Sequence, residues 1–104
     1  MLLVYVTFPD LRTAKKICKV LLKERLIACA NIFRIRSLYN WEGKINDANE
    51  FVAIMKTENK NKNNLEKRIK ELHPYEIPAI IYFKVKASEE FENWVRESVR
   101  DRDF

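Results

Sequence analysis

A long hairpin built around the only glycine is the feature that most limits how this chain can fold. Gly43 separates two extended stretches, residues 27–41 and 44–57, and the pair Glu42-Gly43 is typical of a tight two-residue turn. The inner halves of both stretches are nearly continuous apolar runs, which predicts strands buried on both faces. Residues 27–41 would span roughly 50 Å when extended, whereas a domain of this length has a radius of gyration of about 13 Å. The hairpin is therefore expected to outreach its own core and to contact another copy of the chain.

The other segments alternate between strand and helix patterns. Residues 2–8 and 77–85 are rich in β-branched and aromatic side chains, which predicts two further strands. Between Leu11 and Leu22 the apolar residues recur at helical spacing, and Asp10 is placed to cap that helix.

Two more helices are predicted in the second half of the chain. The first presents a narrow apolar stripe and ends where proline forbids further helix, at His73-Pro74. The last begins after Ser88 and is expected to bury Phe91, Trp94, Val95 and Val99. The tail, residues 100–104, is expected to fray.

The predicted order is β-α-β-β-α-β followed by a helix, which is the ferredoxin-like α+β arrangement in a single domain over residues 1–104. Two helices cover one face of such a sheet. Because the strand interiors are apolar at consecutive positions, the other face also needs a cover. Self-association would supply it.

Composition limits the partners and the compartment. The net charge of +5 comes from 20 basic and 15 acidic residues of mixed order, and the chain lacks a basic-aromatic RNA-binding signature, so no nucleic-acid partner is expected. No segment resembles a signal peptide or a membrane span, which predicts a cytoplasmic protein. Cys18 and Cys29 are expected to be buried thiols. The abundance of charged residues with a single glycine favours a heat-stable protein.

Catalytic motifs are missing, so the chain is not expected to be an enzyme. A single glycine excludes glycine-rich phosphate loops, dinucleotide fingerprints and nucleophile elbows. The remaining candidates are polar and aromatic residues near turns: Tyr39, Trp41, Glu42, Lys56, His73, Tyr75 and Glu76. A lysine at the end of a buried strand needs a carboxylate or a ligand anion, and Glu50 or Glu76 is a possible partner for Lys56. His73 is either a ligand or a structural residue that binds a free carbonyl group.

Several blocks of sequence together resemble one family. They are YVTFPD at residues 5–10, ERLIACANI at 24–32, SLYNWEGKI at 37–45, MKT at 55–57 and HPYEIP at 73–78. In this order they resemble the CutA family of divalent-cation tolerance proteins over nearly the whole chain. The resemblance implies a ferredoxin-like fold, a tight homotrimer and a role linked to copper and other divalent metals. It also implies architectural kinship with the PII signalling proteins, which are trimers that bind anionic ligands in clefts between subunits.

The sequence departs from the family pattern at the proposed metal ligands. Val6 stands where some relatives have a cysteine, and Ala79 stands where glutamate is frequent. Of the proposed metal-ligand positions His73 remains. One imidazole binds copper(II) or another divalent cation weakly unless carboxylates, such as that of Glu76, or other subunits complete the site.

Two functions are therefore expected, from different classes. In the first, the protein is a metal-responsive or metal-binding trimer that binds metal weakly through His73 with Glu76 or another nearby carboxylate. In the second, it is a PII-like signalling or scaffold trimer, whose inter-subunit clefts hold a small anion or a partner segment. The residues expected to line those clefts are Tyr39, Trp41, Glu42, Lys56 and Tyr75.

Overall fold

Four antiparallel strands form one sheet in the order β2-β3-β1-β4 in a computed structural model, which describes residues 1–100 of the chain. The strands are β1 (Leu2–Phe8), β2 (Cys29–Trp41), β3 (Lys44–Thr57) and β4 (Ile80–Lys84). The helices are α1 (Leu11–Lys23), α2 (Lys62–Leu72) and α3 (Glu89–Ser98), with one 3-10 turn, Asn59–Asn61, before α2. The predicted ferredoxin-like α+β fold is confirmed. The expected fraying concerns mainly residues 101–104, which lie outside the described residues.

The core lies between the sheet and the two helices α1 and α2. Alternate residues of β1 are completely buried on that face, as the two-residue period of a strand requires. Helix α1 contributes Ala14, Ile17 and Leu21, and helix α2 contributes Leu65 and Ile69. Within the described part of the chain, no helix is long and apolar enough to cross a membrane.

Helix α1 begins and ends where its capping residues place it. The Asp10 side chain accepts a hydrogen bond from the backbone N–H of Thr13 at 2.7 Å, as an N-cap should. At the other end Arg25 has a positive φ of 59°, and the N–H of Leu26 reaches back to the carbonyl group of Leu21. This left-handed residue stops the helix and turns the chain toward β2.

The hairpin has the register that its turn predicts. Glu42 and Gly43 both have positive φ, 52° and 73°, and Trp41 pairs with Lys44 across the turn. These are the signs of a type I′ turn, whose twist matches that of the strands. Pairing continues from there to Cys29 and Lys56, and the long axis of the molecule is 49 Å against 28 and 22 Å for the others. The prediction that the hairpin outreaches the core is confirmed.

Strand β4 is shorter than the sequence predicts. It begins at Ile80 rather than at residue 77, and its last pair with β1 joins Ile80 to Val6. Beyond Val6 the carbonyl group of Thr7 is bound by the ring of His73, and Pro78 has no N–H to donate. The ladder therefore cannot extend to residue 77.

Trp94 is not buried as predicted. Val95 and Val99 of the last helical segment pack against Ala28 and Met1, as expected of an apolar face. The Trp94 ring is instead 48% exposed, and it stacks on Phe91 with 5.7 Å between the ring centroids. Trp94 is one residue before Val95 and so points about 100° away from it around the helix.

The sheet face opposite α1 and α2, here called the open face, is apolar and partly exposed. The strand register places Phe33, Tyr5, Ile54, Ile81 and Phe83 on it. Phe33, Ile81 and Phe83 are 43%, 46% and 51% exposed, while Tyr5 and Ile54 are half-buried. The apolar second face predicted from the sequence is thus present, and it has no complete cover within residues 1–100.

Replacing Gly43 by valine should destabilise the hairpin. A Cβ atom at position 43 would have no neighbouring atom within 4 Å, so the effect comes from the φ of +73° and not from a steric clash. A left-handed conformation costs a non-glycine residue about 1–2 kcal/mol, and we expect that loss in denaturant unfolding of Gly43→Val. Gly43→Asn is the matched control, because asparagine tolerates this region. Equal stability of the two variants would contradict the turn assignment.

Candidate functional site

The segment between α2 and β4, residues 73–79, forms one wall of the candidate site, and His73 holds it in place. The Nε2 atom of His73 lies 2.7 Å from the carbonyl oxygen of Thr7, and its Nδ1 atom accepts a hydrogen bond from the N–H of Tyr75 at 3.0 Å. The ring also stacks on Phe8, with 4.9 Å between centroids. Because a carbonyl oxygen only accepts, Nε2 carries the proton and the imidazole is neutral. His73 therefore joins this segment to the end of β1.

Tyr75 ties the same segment to β3. Its hydroxyl group donates to the Oε2 atom of Glu50 at 2.5 Å, and its ring lies against His73 at 4.8 Å. Glu50 is only 7% exposed. Burial and the Glu50 carboxylate both raise the pKa of Tyr75, so its hydroxyl group stays protonated and acts as a donor.

The hairpin forms the opposite wall. Since alternate residues of a strand share a face, Ile35, Tyr39 and Trp41 all lie on the open face, together with Glu50 on the neighbouring strand. Tyr39 and Trp41 on the hairpin and Tyr75 on the opposite segment border the same cleft, so the two walls face each other. The walls enclose a cleft of about 720 Å³, and its lining includes Tyr5, Tyr39, Trp41, Glu50, Tyr75 and Glu76.

The structure brings together only part of the predicted site. Tyr39, Trp41, Tyr75 and Glu76 line the cleft. Glu42 is in the turn beyond it, and His73 is 8% exposed behind the wall that it supports. Neither of these two residues is among the lining residues.

Lys56 also lies away from the cleft. It is six residues along β3 from Glu50, which is about 20 Å of strand. Its ammonium group donates to the side-chain oxygen of Asn31. The expectation that Glu50 or Glu76 would pair with Lys56 is therefore wrong, since strand length separates Lys56 from Glu50 and an amide group takes its place.

Three charged residues are among those that line the cleft: Arg36, Glu50 and Glu76. Arg36 forms an ion pair with Asp47, with N–O distances of 2.5 and 3.0 Å, so this cation is already neutralised. The carboxylates of Glu50 and Glu76 are the other charged groups in the lining.

The described residues contain no cluster built for a metal ion. No three side chains of His, Cys, Asp or Glu within residues 1–100 lie close enough to hold one together. Both ring nitrogens of His73 are engaged, so ligation there requires the loss of a hydrogen bond. Cys18 is buried, and burial raises its pKa to about 11, which disfavours the thiolate that binds metal.

Comparison with known proteins identifies the family. Residues 2–98 match the family described as CutA1 divalent ion tolerance protein. The divalent-cation tolerance protein CutA of Pyrococcus horikoshii is 50% identical over 101 residues, which cover 96% of this chain and 99% of that protein. The chain belongs to the CutA1 family.

Solved structures of CutA1 proteins share this fold. The crystal structure of CutA1 from P. horikoshii has a TM-score of 0.94 at 48% identity and covers 97% of this chain and 100% of its own. The periplasmic divalent cation tolerance protein CutA from Archaeoglobus fulgidus gives 0.93 at 38%, with 96% and 100% coverage. The PII-like protein CutA from Nostoc sp. PCC 7120 in apo form gives 0.90 at 27%, with 96% and 98% coverage. The resemblance in sequence is therefore confirmed in structure.

Glu50 lines the cleft, and the sequence does not predict this position for it. The sequence suggests it only as a partner for Lys56. The sequence does contain a signal for Glu50, because this carboxylate directly precedes the apolar run of residues 51–55. A charge at the edge of a buried run needs a polar partner, and here Tyr75 is that partner.

The pH dependence of stability should report on His73. Burial lowers the pKa of His73 below its ordinary value of 6.5, although the Thr7 carbonyl group and Glu50 oppose the shift. The unfolded chain therefore takes up a proton first as the pH falls. We expect the free energy of unfolding to be fully retained above pH 6.5 and to decrease from there down to the lowered pKa.

The control is His73→Gln, which cannot titrate and keeps an amide donor and acceptor. Denaturant unfolding between pH 8 and pH 5 should show a smaller decrease for the variant than for the wild type. Parallel curves for the two proteins over this range would contradict the assignment of a neutral, buried His73.

Proposed function

We propose that this CutA1 family member acts in the response to divalent cations as a homotrimer, with the cleft as its ligand site. The observation that carries the proposal is the open face. Phe33, Ile81 and Phe83 each leave about half of their surface in water, and burial of apolar surface stabilises an assembly by about 25 cal/mol per Å². The cleft lies on the same face, so a second copy that covers the apolar part also lies beside the cleft.

A PII-like signalling or scaffold role is the second candidate. The cleft favours it, because a volume of about 720 Å³ between two structured walls is large enough for a small molecule or a few side chains of a partner segment. In this role the ligand would modulate the assembly, and divalent-cation tolerance would be an indirect result. The two candidates share the trimer and differ in the ligand, which is a metal ion at His73 and Glu76 in the first and a small molecule or partner segment in the cleft in the second.

We also propose that the protein is not an enzyme. The two groups near the cleft that most often move protons are poorly suited to do so. Both nitrogens of His73 are engaged in hydrogen bonds, and the raised pKa of Tyr75 keeps the proton on its phenolic oxygen. A substrate turned over by the wild type and not by Glu50→Gln or Tyr75→Phe would contradict this proposal.

Assembly can be tested with one substitution on the open face. The wild type should sediment at three times the 12.5 kDa chain mass at micromolar concentration. Phe83→Asp places a charge on the open face, where burial in an interface would be costly, and should shift the protein toward the monomer. Leu11→Asp is the matched control, since Leu11 is similarly exposed (43%) on α1 and lies away from the open face. A wild-type monomer, or a Phe83→Asp trimer as stable as the wild type, would contradict the proposal.

Copper(II) binding is proposed to be weak and to use His73 with Glu76 as an oxygen ligand. Weak binding is expected because the imidazole must first give up one hydrogen bond, from the Tyr75 N–H or to the Thr7 carbonyl group. Neutral imidazole is the ligating form, so binding should fall only below pH 6.5, where the lowered pKa of His73 is approached.

Calorimetric titration of copper(II) into the wild type, His73→Gln and Cys29→Ser tests this site. His73→Gln should lose binding, whereas Cys29→Ser should retain it, because burial raises the pKa of the Cys29 thiol. If His73→Gln binds copper(II) as tightly as the wild type, the metal assignment is wrong and the cleft-ligand candidate remains.

Heat stability and a cytoplasmic location stay predictions. The first is supported by relatives from Pyrococcus horikoshii and Thermotoga maritima at 50% and 48% identity, and a melting temperature in the ordinary range of ~45–65 °C would contradict it. The second is supported by two free cysteines, which suit a reducing compartment. The Archaeoglobus protein is described as periplasmic, so cell fractionation is the test, and a periplasmic pool would contradict the cytoplasmic prediction.

A further inference from the structure

The charge of the cleft is opposite to the charge of the chain. The chain carries a net charge of +5. In the cleft, however, the guanidinium group of Arg36 is neutralised by Asp47, and the carboxylates of Glu50 and Glu76 remain. The lysine that was expected to attract an anion, Lys56, lies outside the cleft. A cation therefore fits this surface better than an anion does.

Glu50 is the charged group that most needs a partner. Its side chain is buried, with 7% of the residue exposed, and the Tyr75 hydroxyl group that donates to it is uncharged. No cationic side chain within residues 1–100 forms an ion pair with it. A carboxylate this deeply buried is costly unless a positive charge balances it. Because Glu50 is also one of the lining residues, such a charge can reach it from the cleft.

Aromatic rings form much of the remaining lining. Tyr5, Tyr39, Trp41 and Tyr75 all border the cleft, and Tyr75 is fixed by its contacts with Glu50 and His73. The face of an aromatic ring carries partial negative charge, so it attracts cations and repels anions. A cavity of about 720 Å³ with such walls suits an organic cation much larger than a bare metal ion.

We infer that the cleft binds a small organic cation, an ammonium or guanidinium compound, with Glu50 as its counter-ion and the tyrosine and tryptophan rings as its walls. This inference rests on the proposed ligand-binding role of the cleft and names the class of ligand. It replaces the small anion expected from the sequence. A lysine or arginine side chain of a second copy has the same chemistry, and sedimentation of cleft variants separates that source from a free ligand.

The test is calorimetric titration of the assembled protein with three probes. Choline is the organic cation, 3,3-dimethylbutan-1-ol is its neutral isostere, and inorganic phosphate is the anion. Choline should bind at least about tenfold more tightly than the neutral alcohol, since the charge adds cation–π and ion-pair attraction in a partly desolvated site. Phosphate should not bind in the cleft. Equal affinity for choline and the alcohol, or binding of phosphate in place of choline, would overturn the inference.

Two pairs of variants locate the binding. Glu50→Gln should weaken choline binding about tenfold and leave the neutral alcohol unaffected, whereas Glu42→Gln, with its carboxylate outside the cleft, should bind like the wild type. Trp41→Leu should weaken choline binding, and Trp94→Leu, a similarly exposed tryptophan on α3, should not. Unchanged choline binding in both cleft variants would overturn the assignment.

Sedimentation of the same variants distinguishes the two sources of a cation. If Glu50 binds a side chain of a neighbouring copy, Glu50→Gln should dissociate the assembly and the wild type should not bind choline, which would overturn the free-ligand inference. If the wild type is a trimer and binds no choline, this inference fails while the proposed assembly stands. If the wild type is a monomer that binds choline, the proposed assembly fails while this inference stands.

Discussion

The register of β2 against β3 determines where the other parts of the candidate site can lie. A single turn, with positive φ at Glu42 and Gly43, sets the pairing along the entire hairpin. A shift of one residue would turn Tyr39 and Trp41 to the opposite face and remove them from the cleft. The same register places Phe33 and Ile54 of the inner hairpin on the open face, beside β1 and β4. One turn thus determines both the surface proposed for assembly and the hairpin wall of the cleft.

Most of the fold could be predicted because its signals are local. The strand pattern of β1, the cap at Asp10 and the turn at Gly43 each depend on neighbouring residues, and each is confirmed. The errors arise where tertiary contacts decide. The sequence predicts that β4 begins at Ile77, but Pro78 has no N–H to donate and the ring of His73 takes the carbonyl group of Thr7 that the strand would need. Trp94 has the right residue type for a core and lies on the wrong side of its helix.

The candidate site was predicted less completely, for a related reason. Tyr39 and Trp41 are predicted from their position beside the hairpin turn, and Tyr75 and Glu76 come from a block that resembles the family. Lys56 and Glu50 are on the same strand, and their separation along it could have been read from the sequence. The link between Glu50 and Tyr75 could not, because it joins residues 25 positions apart through side chains alone. That link holds the Glu50 carboxylate in the lining of the cleft, and this carboxylate changes the class of ligand that suits the cleft.

Assembly and ligand binding meet on one surface, since copies of the chain are proposed to cover the apolar part of the open face, and the cleft lies beside that part. A crystal structure of the assembled protein grown with choline examines both proposals at once. We expect a trimer in which Phe33 and Phe83 are buried between subunits, the Tyr75–Glu50 hydrogen bond is intact, and the choline nitrogen lies between the Glu50 carboxylate and the aromatic rings. An assembly with Phe33 and Phe83 still in solvent, or with Glu50 bound to a basic side chain of a neighbouring copy, would contradict these proposals.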